Sequence, residues 1–257
     1  MQANLVEVFS SIQGEGPHVG ASTVFVRFGG CDLRCAWCDS PHTWLPSKRC
    51  RLEVERGSAR FREVACPVDL ADVLAAIEAL GPAAHRFVSF TGGEPLLQAS
   101  AVEVLARSLR AQGACLYLET HGLAATELES VVDQIDVVAM DWKLASEVRR
   151  AAAPERDGDA DFDRQHERFL KIARRASEVF VKIVVTARSE DEEILGAARR
   201  IADQDPQVLL ILQPVTPLKK GSGRPGASRM LALAAATEDI LAHVRVIPQT
   251  HPIYGVP

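Results

Sequence analysis

Three cysteines fall within eight residues in the run Cys31-Asp32-Leu33-Arg34-Cys35-Ala36-Trp37-Cys38. In a reducing compartment, cysteines clustered in this way read as metal or redox chemistry rather than as a disulfide framework. Thiolates at C-x3-C-x2-C spacing on one loop can hold three irons of a cubane, with the fourth iron left open to a substrate or cofactor. The competing use is a structural zinc site, which wants four closed ligands and for which His42 is the available fourth. Three cysteines with an aromatic, Trp37, before the last fit the open cluster better. The other cysteines, Cys50, Cys66 and Cys115, read as structural, and two in one segment are too few for an auxiliary cluster.

Such a loop needs a scaffold that brings other polar groups to it. Strand-like runs are Leu5–Phe9, Thr23–Phe28, Phe87–Phe90, Cys115–Glu119, Val137–Met140, Val179–Val185, Val208–Leu212 and Val244–Ile247. Between them lie helical patterns. In 69–80, Leu70, Val73, Leu74 and Ile77 follow the i, i+3, i+4, i+7 spacing. Ser100 with Glu103, Thr126 with Glu129, and Ser189 with Glu192 read as capping boxes opening helices over 100–112, 126–134 and 189–203. A further Ala/Leu-rich helix is expected over 227–242. Alternation of this kind implies an α/β fold with a parallel sheet or barrel and right-handed crossovers.

In such folds function collects at the C-terminal ends of the strands. There the chain carries Gly29-Gly30-Cys31, Thr91-Gly92-Gly93-Glu94-Pro95, Glu119-Thr120-His121-Gly122, Asp141-Trp142-Lys143, Gln213-Pro214 and Gln249-Thr250-His251. Lys182 sits inside an otherwise apolar strand. Strand after strand ends in reactive or hydrogen-bonding residues, which favours an enzyme.

Composition narrows the class. The 257 residues carry 29 Lys+Arg against 34 Asp+Glu, a formal net charge of −5, with 47% hydrophobic and 25% charged residues. A chain of this size buries roughly 70–75% of its unfolded surface and needs no disulfides to fold. The acidic balance argues against nucleic-acid binding. No apolar run approaches the ~18–20 residues of a membrane span, and no signal peptide is evident, so the cytoplasm is the expected location. One domain over 1–257 is expected, interrupted by two insertions at about 44–67 and 146–177; the second includes an acidic loop, 154–163.

The cysteine motif with its aromatic, followed on the next strand by Gly92-Gly93-Glu94-Pro95, resembles the signatures of the radical S-adenosylmethionine (SAM) enzymes. The resemblance implies an incomplete (βα) barrel, and a reduced [4Fe-4S] cluster that cleaves SAM to a 5′-deoxyadenosyl radical. Within that class, Phe9-Ser10-Ser11-Ile12-Gln13-Gly14-Glu15-Gly16, Val24–Cys31, His85-Arg86-Phe87, Leu118–Gly122 and the tail from Gln249 to Pro257 resemble the 7-carboxy-7-deazaguanine synthase family. Enzymes of that family convert 6-carboxy-5,6,7,8-tetrahydropterin to 7-carboxy-7-deazaguanine with loss of ammonia, on the route to queuosine and other deazapurines. They use SAM catalytically, are assisted by Mg²⁺ and are homodimers fed by an electron donor such as flavodoxin or ferredoxin.

The resemblance implies roles residue by residue. Cys31, Cys35 and Cys38 are the cluster ligands, and Ser40 supplies a hard oxygen to Mg²⁺. The SAM contacts are Trp37, Cys38, Asp39, Gly92, Gly93, Glu94, Glu119, Asp141, Trp142, Lys143, Gln213, Pro214, Val215 and Thr216. The pterin contacts are Ile12, Gln13, Gly14, Glu15, Arg27, Thr91, His251 and the carboxylate of Pro257. Arg27 offers a bidentate fork to a carboxylate, although alternation with Val26 and Phe28 alone reads as a solvent-facing strand arginine.

Two rival readings stand beside this one. A glycyl-radical activase shares the cysteine spacing but not the Gln13–Gly16 entry or the Gln249–His251 tail. A non-catalytic zinc or iron–sulfur protein has no need of Gly92–Pro95. Two further signals are discounted. Gly221–Gly226 matches G-x-G-x-x-G but is not in a βαβ unit of the right layout. Lys48, Arg49 and Arg51 form a basic patch, either a solvated face or a docking spot for an acidic donor.

Overall fold

The computed structural model describes residues 1–152, 162–217 and 223–255. The chain begins with β1 (Gln2–Ala3), β2 (Leu5–Ile12) and β3 (Ser22–Phe28). A short β4 (Leu33–Cys35) lies inside the cysteine loop. A hairpin of β5 (Arg49–Glu53) and β6 (Phe61–Ala65) follows, then β7 (Val68–Asp69) and α1 (Leu70–Ala79). Strand and helix then alternate through β8 (Phe87–Gly92), α2 (Ala99–Ala111), β9 (Leu116–Thr120), α3 (Ala125–Val131) and β10 (Val137–Asp141). The chain continues with β11 (Val148–Arg150), α4 (Phe162–Ala173), β12 (Glu178–Val185) and α5 (Asp191–Gln204). It ends with β13 (Leu209–Pro214), α6 (Ala227–Glu238), β14 (Val244–Val246) and α7 (His251–Tyr254).

Ten strands form one sheet in the order β14-β13-β12-β10-β9-β8-β3-β2-β5-β6. From β3 to β14 every neighbouring pair is parallel. Strand β2 runs antiparallel to β3, and the β5–β6 hairpin extends the sheet beyond it. The sheet is open, with β14 and β6 at its two edges, as an incomplete barrel requires.

Alternation along the strands explains both faces. Val24, Val26 and Phe28, Val88 and Phe90, Leu116 and Leu118, Val138 and Met140, and Val181 and Ile183 point into the large core that includes Val73 and Ile77 of α1 and Leu105 of α2. On the other face Phe87, Tyr117, Val137, Ala139, Phe180 and Ile211 make a smaller apolar floor. Two residues further along the same strands, that face turns polar at Ser89, Glu119, Asp141, Lys182 and Gln213, with Thr91 two beyond Ser89. Register fixes the rim: Arg27 lies opposite Thr91, and Asp141 opposite Lys182.

Helix starts differ from expectation in each of the three capping boxes. Ser100 lies inside α2, which is entered through a 3₁₀ turn (Pro95–Gln98) capped by the Glu94 carboxylate. Thr126 is likewise inside α3. The Ser189 hydroxyl donates to Glu147 and accepts from the Thr186 amide, and α5 begins only at Asp191. The pattern S/T-x-x-E is too short to locate a helix start when the preceding loop has its own use for the hydroxyl. At α1 the cap is Asp69, whose Oδ1 accepts from the Ala71 amide at 3.1 Å.

The two expected insertions also take definite forms. The first is the β5–β6 hairpin. The two arginines of β5 are committed: Arg49 pairs with Glu63 at 2.6 Å, while Arg51 sits over the Phe61 ring and 3.5 Å from Glu7. The second contains β11 and α4, and α4 lies between β10 and β12 in the chain and serves as their crossover helix. Most of the expected acidic loop, residues 154–161, lies outside the described residues.

Candidate active site

The cysteine loop hangs between β3 and the β5–β6 hairpin and is held from both sides. Strand β4 pairs antiparallel with β11, with Cys35 opposite Val148 and Leu33 opposite Arg150. The Ala36 amide donates to Glu147 O at 3.0 Å, and the Ala151 amide donates to Asp32 O at 2.6 Å. On the other side the Gly30 and Cys31 amides donate to the carbonyls of Thr43 and Trp44. Two N–H groups aim at sulfur: Trp44 Nε1 lies 3.2 Å from Cys38 Sγ, and the Leu33 amide 3.5 Å from Cys31 Sγ. All three cysteines are unpaired and line one cavity of about 420 Å³.

The chemistry of that donor set fits a cubane. Burial pushes the Cys31 thiol up to about 12 and Cys35 to about 11, so without metal both are protonated at neutral pH. A cluster held by these thiols would require them to give up those protons. Among the described residues no three His, Cys, Asp or Glu side chains converge as ligands of a single ion. Cluster cysteines each bind a different iron and need no such convergence.

The glycine turn after β8 closes against the same loop. Gly92 has φ +122°, a conformation that L side chains rarely adopt. A Cβ on Gly93 would come within 2.7 Å of the Gly30 carbonyl carbon, 2.9 Å of Thr43 O, and closer still to Gly30 O. Backbone meets backbone here, directly before Cys31. Glu94 stands behind the turn, fully buried. Its Oε1 accepts from the Leu96 amide (3.0 Å) and the Thr120 hydroxyl (2.9 Å), and its Oε2 from the His121 amide (2.9 Å). His121 ties the turn to the cluster loop. Its Nδ1 accepts from the Leu123 amide at 3.1 Å, which leaves Nε2–H to donate to Asp32 Oδ1 at 2.9 Å.

Across the cavity the charges are interlocked. Lys182 Nζ donates to Glu15 Oε2 and lies 3.1 Å from Asp141 Oδ1. Lys143 Nζ donates to Asp141 Oδ2 at 2.6 Å and sits 4.5 Å from the centre of the Trp37 ring. Burial opposes the Lys182 charge, but Asp141 and Glu15 outweigh it and hold its pKa above the usual lysine value. Burial likewise opposes the Asp141 charge, and Lys143 and Lys182 reverse that, keeping its carboxyl below the usual range. Gln249 Nε2 donates both to Glu15 Oε1 (2.6 Å) and to Asp39 Oδ2 (2.8 Å). Glu119 accepts from Gln13 Nε2, Ser89 Oγ and Thr91 Oγ1 at 2.9, 3.0 and 2.6 Å.

Of the expected site residues, Gln13, Glu15, Arg27, Cys31, Cys35, Trp37, Cys38, Asp39, Ser40, Thr91, Gly92, Gly93, Glu119, Asp141, Lys143, Gln213, Val215 and His251 line this cavity. Ile12, Gly14, Pro214 and Thr216 do not, although the Gly14 carbonyl accepts from the Thr250 amide. Glu94 does not reach it, because its carboxylate is occupied by the turn. Trp142 faces the opposite side, as strand alternation demands between Asp141 and Lys143: its Nε1 donates to Asp163 and its ring stacks 4.7 Å from His166. Pro257 lies outside the described residues, as do Gly221 and Ser222 of the glycine-rich stretch.

Arg27 is not a solvent-facing arginine. It lies over the Phe9 ring, its Nε donates to Glu7 Oε1 at 2.9 Å, and it lines the cavity. Arg27→Ala is expected to raise the KM for a carboxylate-bearing substrate by about 10–100-fold, the loss of one charge-assisted contact. Uncoupled SAM cleavage and cluster content should stay near wild type. Steady-state kinetics with 5′-deoxyadenosine quantified in parallel checks this, and joint loss of both activities would make Arg27 structural.

Lys182 and Gln249 were not among the expected contacts, nor were Tyr117 and Phe180 of the floor. A lysine inside an apolar strand was the visible signal for the first. Nothing local to Gln249 marks which acids its amide meets.

The 4Fe-4S single cluster domain family matches residues 12–156. A 7-carboxy-7-deazaguanine synthase of Geobacter sulfurreducens is 39% identical over 258 residues, spanning 98% of this chain and 97% of that protein. Its counterpart in Methanopyrus kandleri is 34% identical, spanning 97% of this chain and 92% of that protein. The crystal structure of QueE from Escherichia coli superposes with a TM-score of 0.59 at 22% identity, covering 98% of this chain and 95% of that one. That last likeness is one of fold.

Proposed function

The chain belongs to the 7-carboxy-7-deazaguanine synthase family, and from that premise we propose that it converts 6-carboxy-5,6,7,8-tetrahydropterin to 7-carboxy-7-deazaguanine with loss of ammonia. The observation that carries this reading is one cavity that joins three cysteines of a single loop, the Gly92-Gly93 turn, and the polar rim of Glu15, Arg27 and Glu119. When bound, the [4Fe-4S] cluster and SAM together supply reversible hydrogen-atom abstraction.

The chain's own groups do the rest. Cys31, Cys35 and Cys38 would hold the cluster. The Gly92-Gly93 turn, which has no Cβ to bar a close approach, and Trp37, Asp39, Asp141, Lys143, Gln213 and Val215 of the same cavity would hold SAM. Among the described residues the cavity walls carry five carboxylates, Glu7, Glu15, Asp39, Glu119 and Asp141, against three firm cations, Arg27, Lys143 and Lys182. A negative excess suits the sulfonium of SAM and a divalent cation. Arg27 answers the substrate carboxylate, while Glu15, Glu119, Gln13 and Thr91 offer acceptors and donors to the heterocycle's edge. His251, with its backbone against Gly14, closes one side. Ser40, whose hydroxyl lies 3.0 Å from Asp39 Oδ1, would supply an oxygen to Mg²⁺. The same proposal includes a homodimer, a flavodoxin- or ferredoxin-type electron donor, and a cytoplasmic setting. Among the described residues no helix is long and apolar enough to cross a membrane.

The test is anaerobic turnover of reconstituted protein with SAM, reductant, Mg²⁺ and the carboxytetrahydropterin, followed by mass spectrometry. Formation of 7-carboxy-7-deazaguanine without stoichiometric SAM loss is the expected result. 5′-Deoxyadenosine with no deazapurine would keep the SAM chemistry and remove this substrate.

A further inference from the structure

The polar contacts of the cavity form a closed circuit. From Asp39 it runs through Gln249 to Glu15, on to Lys182, Asp141 and Lys143, and over the face of Trp37. Trp37 and Asp39 flank Cys38, so the circuit returns to the loop it left. Five of its members belong to the cysteine loop and to β10 and β12 or their ends, and Glu15 to the β2–β3 connection. Gln249 alone comes from the tail after β14.

That one residue has a demanding position. An amide NH₂ has two N–H donors, and here Gln249 Nε2 spends them on two carboxylates, Glu15 Oε1 and Asp39 Oδ2. Without it these two acids face each other with no donor between them. The neighbouring tail is docked by backbone: the Thr250 amide donates to Gly14 O at 2.9 Å, and His251 packs so closely on Gly14 that a Cβ there would lie 2.8 Å from His251 Cβ.

We propose that Gln249 is a positioning residue, whose amide sets the spacing between Glu15 on the pterin side and Asp39 on the SAM side and thereby holds the tail shut over the cavity. The two side labels rest on the function proposed above; the bridge itself does not. Its consequence is that the two halves of the site are linked through the tail, so disturbing Asp39 loosens Thr250, with which it shares no bond.

Hydrogen–deuterium exchange on the reconstituted full chain, without SAM or pterin, tests the bridge. Exchange of the 249–255 peptide should be slow in wild type and about a hundredfold faster in Gln249→Leu, for two charge-assisted bonds lost. Asp39→Ala should accelerate the same peptide, though it lies on a loop 210 residues away in sequence. Gln249→Glu, which sets three carboxylates together, should open the tail further than Gln249→Leu. Gln249→Lys, which offers donors and a positive charge to both acids, should restore slow exchange. Iron and sulfide content should not change across the Gln249 series. Acceleration by Gln249→Leu but not by Asp39→Ala would overturn the bridge, and so would a Gln249→Glu tail as protected as wild type. Pterin kinetics then read the consequence: Gln249→Leu raises KM more than it lowers kcat. Absence of pterin turnover in wild type would remove the assigned substrate while the exchange result still decides the bridge.

Discussion

Gly93→Ala is expected to lower SAM affinity and the rate of SAM cleavage by about a hundredfold, the scale on which a misplacement near 1 Å acts. The added methyl meets backbone, not a movable side chain. The Gly30 carbonyl and Thr43 O occupy its place, and both belong to the segments that frame Cys31. To admit it, either the turn backs away from SAM or the cysteine loop shifts away from the turn. Iron content should fall less than SAM binding, since Cys35 is still held by β11 through the β4 pairing. Gly196→Ala is the control, because a Cβ there meets nothing within 4 Å and the site is interior to α5. It should stabilise the protein by up to about 1 kcal/mol with kinetics unchanged. Equilibrium binding of SAM and iron analysis on both variants decide the matter, and wild-type SAM affinity in Gly93→Ala would show that the turn does not set the SAM position.

Lys182→Met should cost about 3–5 kcal/mol, the usual penalty for stripping one partner from a buried ion pair. At roughly 2–4 °C per kcal/mol this is a fall in Tm on the order of 10 °C. The methionine fills similar volume, so the loss is electrostatic: Asp141 keeps Lys143, but Glu15 keeps only Gln249. The pH dependence separates this from a packing defect. A lysine whose pKa is raised on folding stabilises fully below the ordinary lysine value and loses that contribution only as pH climbs through the folded one. An aspartate whose pKa is lowered stabilises above the ordinary aspartate value and loses it as pH falls through the folded one. The gap between wild type and Lys182→Met should therefore be flat from about pH 6 to 9 and shrink below about pH 4. Thermal melts across that range check it. A gap independent of pH down to pH 3 would place Lys182 outside the Asp141 network.

The parts of the fold that were legible in sequence are those where one physical demand dominates. Val179–Val185 is apolar on both faces because a parallel strand is covered on both, and its one exception, Lys182, marks the rim. Cys31, Cys35, Cys38 and the Gly92-Gly93 pair are local, and spacing along a loop or turn survives folding. The misreadings share a cause in tertiary competition. Ser189 reads as a helix cap until Glu147, far away in sequence, claims its hydroxyl. Glu94 reads as either a SAM contact or a cap of its own turn, and its oxygens go to the capping use, at the Leu96 and His121 amides and the Thr120 hydroxyl. Trp142 sits between two cavity residues in sequence and faces α4 in space. Arg27 reads as exposed because its partner, Glu7, lies on the antiparallel neighbour. Gln249 was visible as a polar strand-end residue, but its partners Glu15 and Asp39 emerge only with the tail folded against Gly14.

The pairing of β4 with β11 has a consequence in time. Cys35 leaves the ribosome far ahead of Val148, the residue it faces. At about 5–20 residues per second, the loop waits roughly 5–20 s for the strand that frames it. During that interval the loop lacks the strand that frames it, and thiolate fraction and access are what govern sulfur oxidation. The nascent chain is thus more vulnerable to oxygen than the finished fold, and anaerobic translation should matter as much to active yield as anaerobic purification.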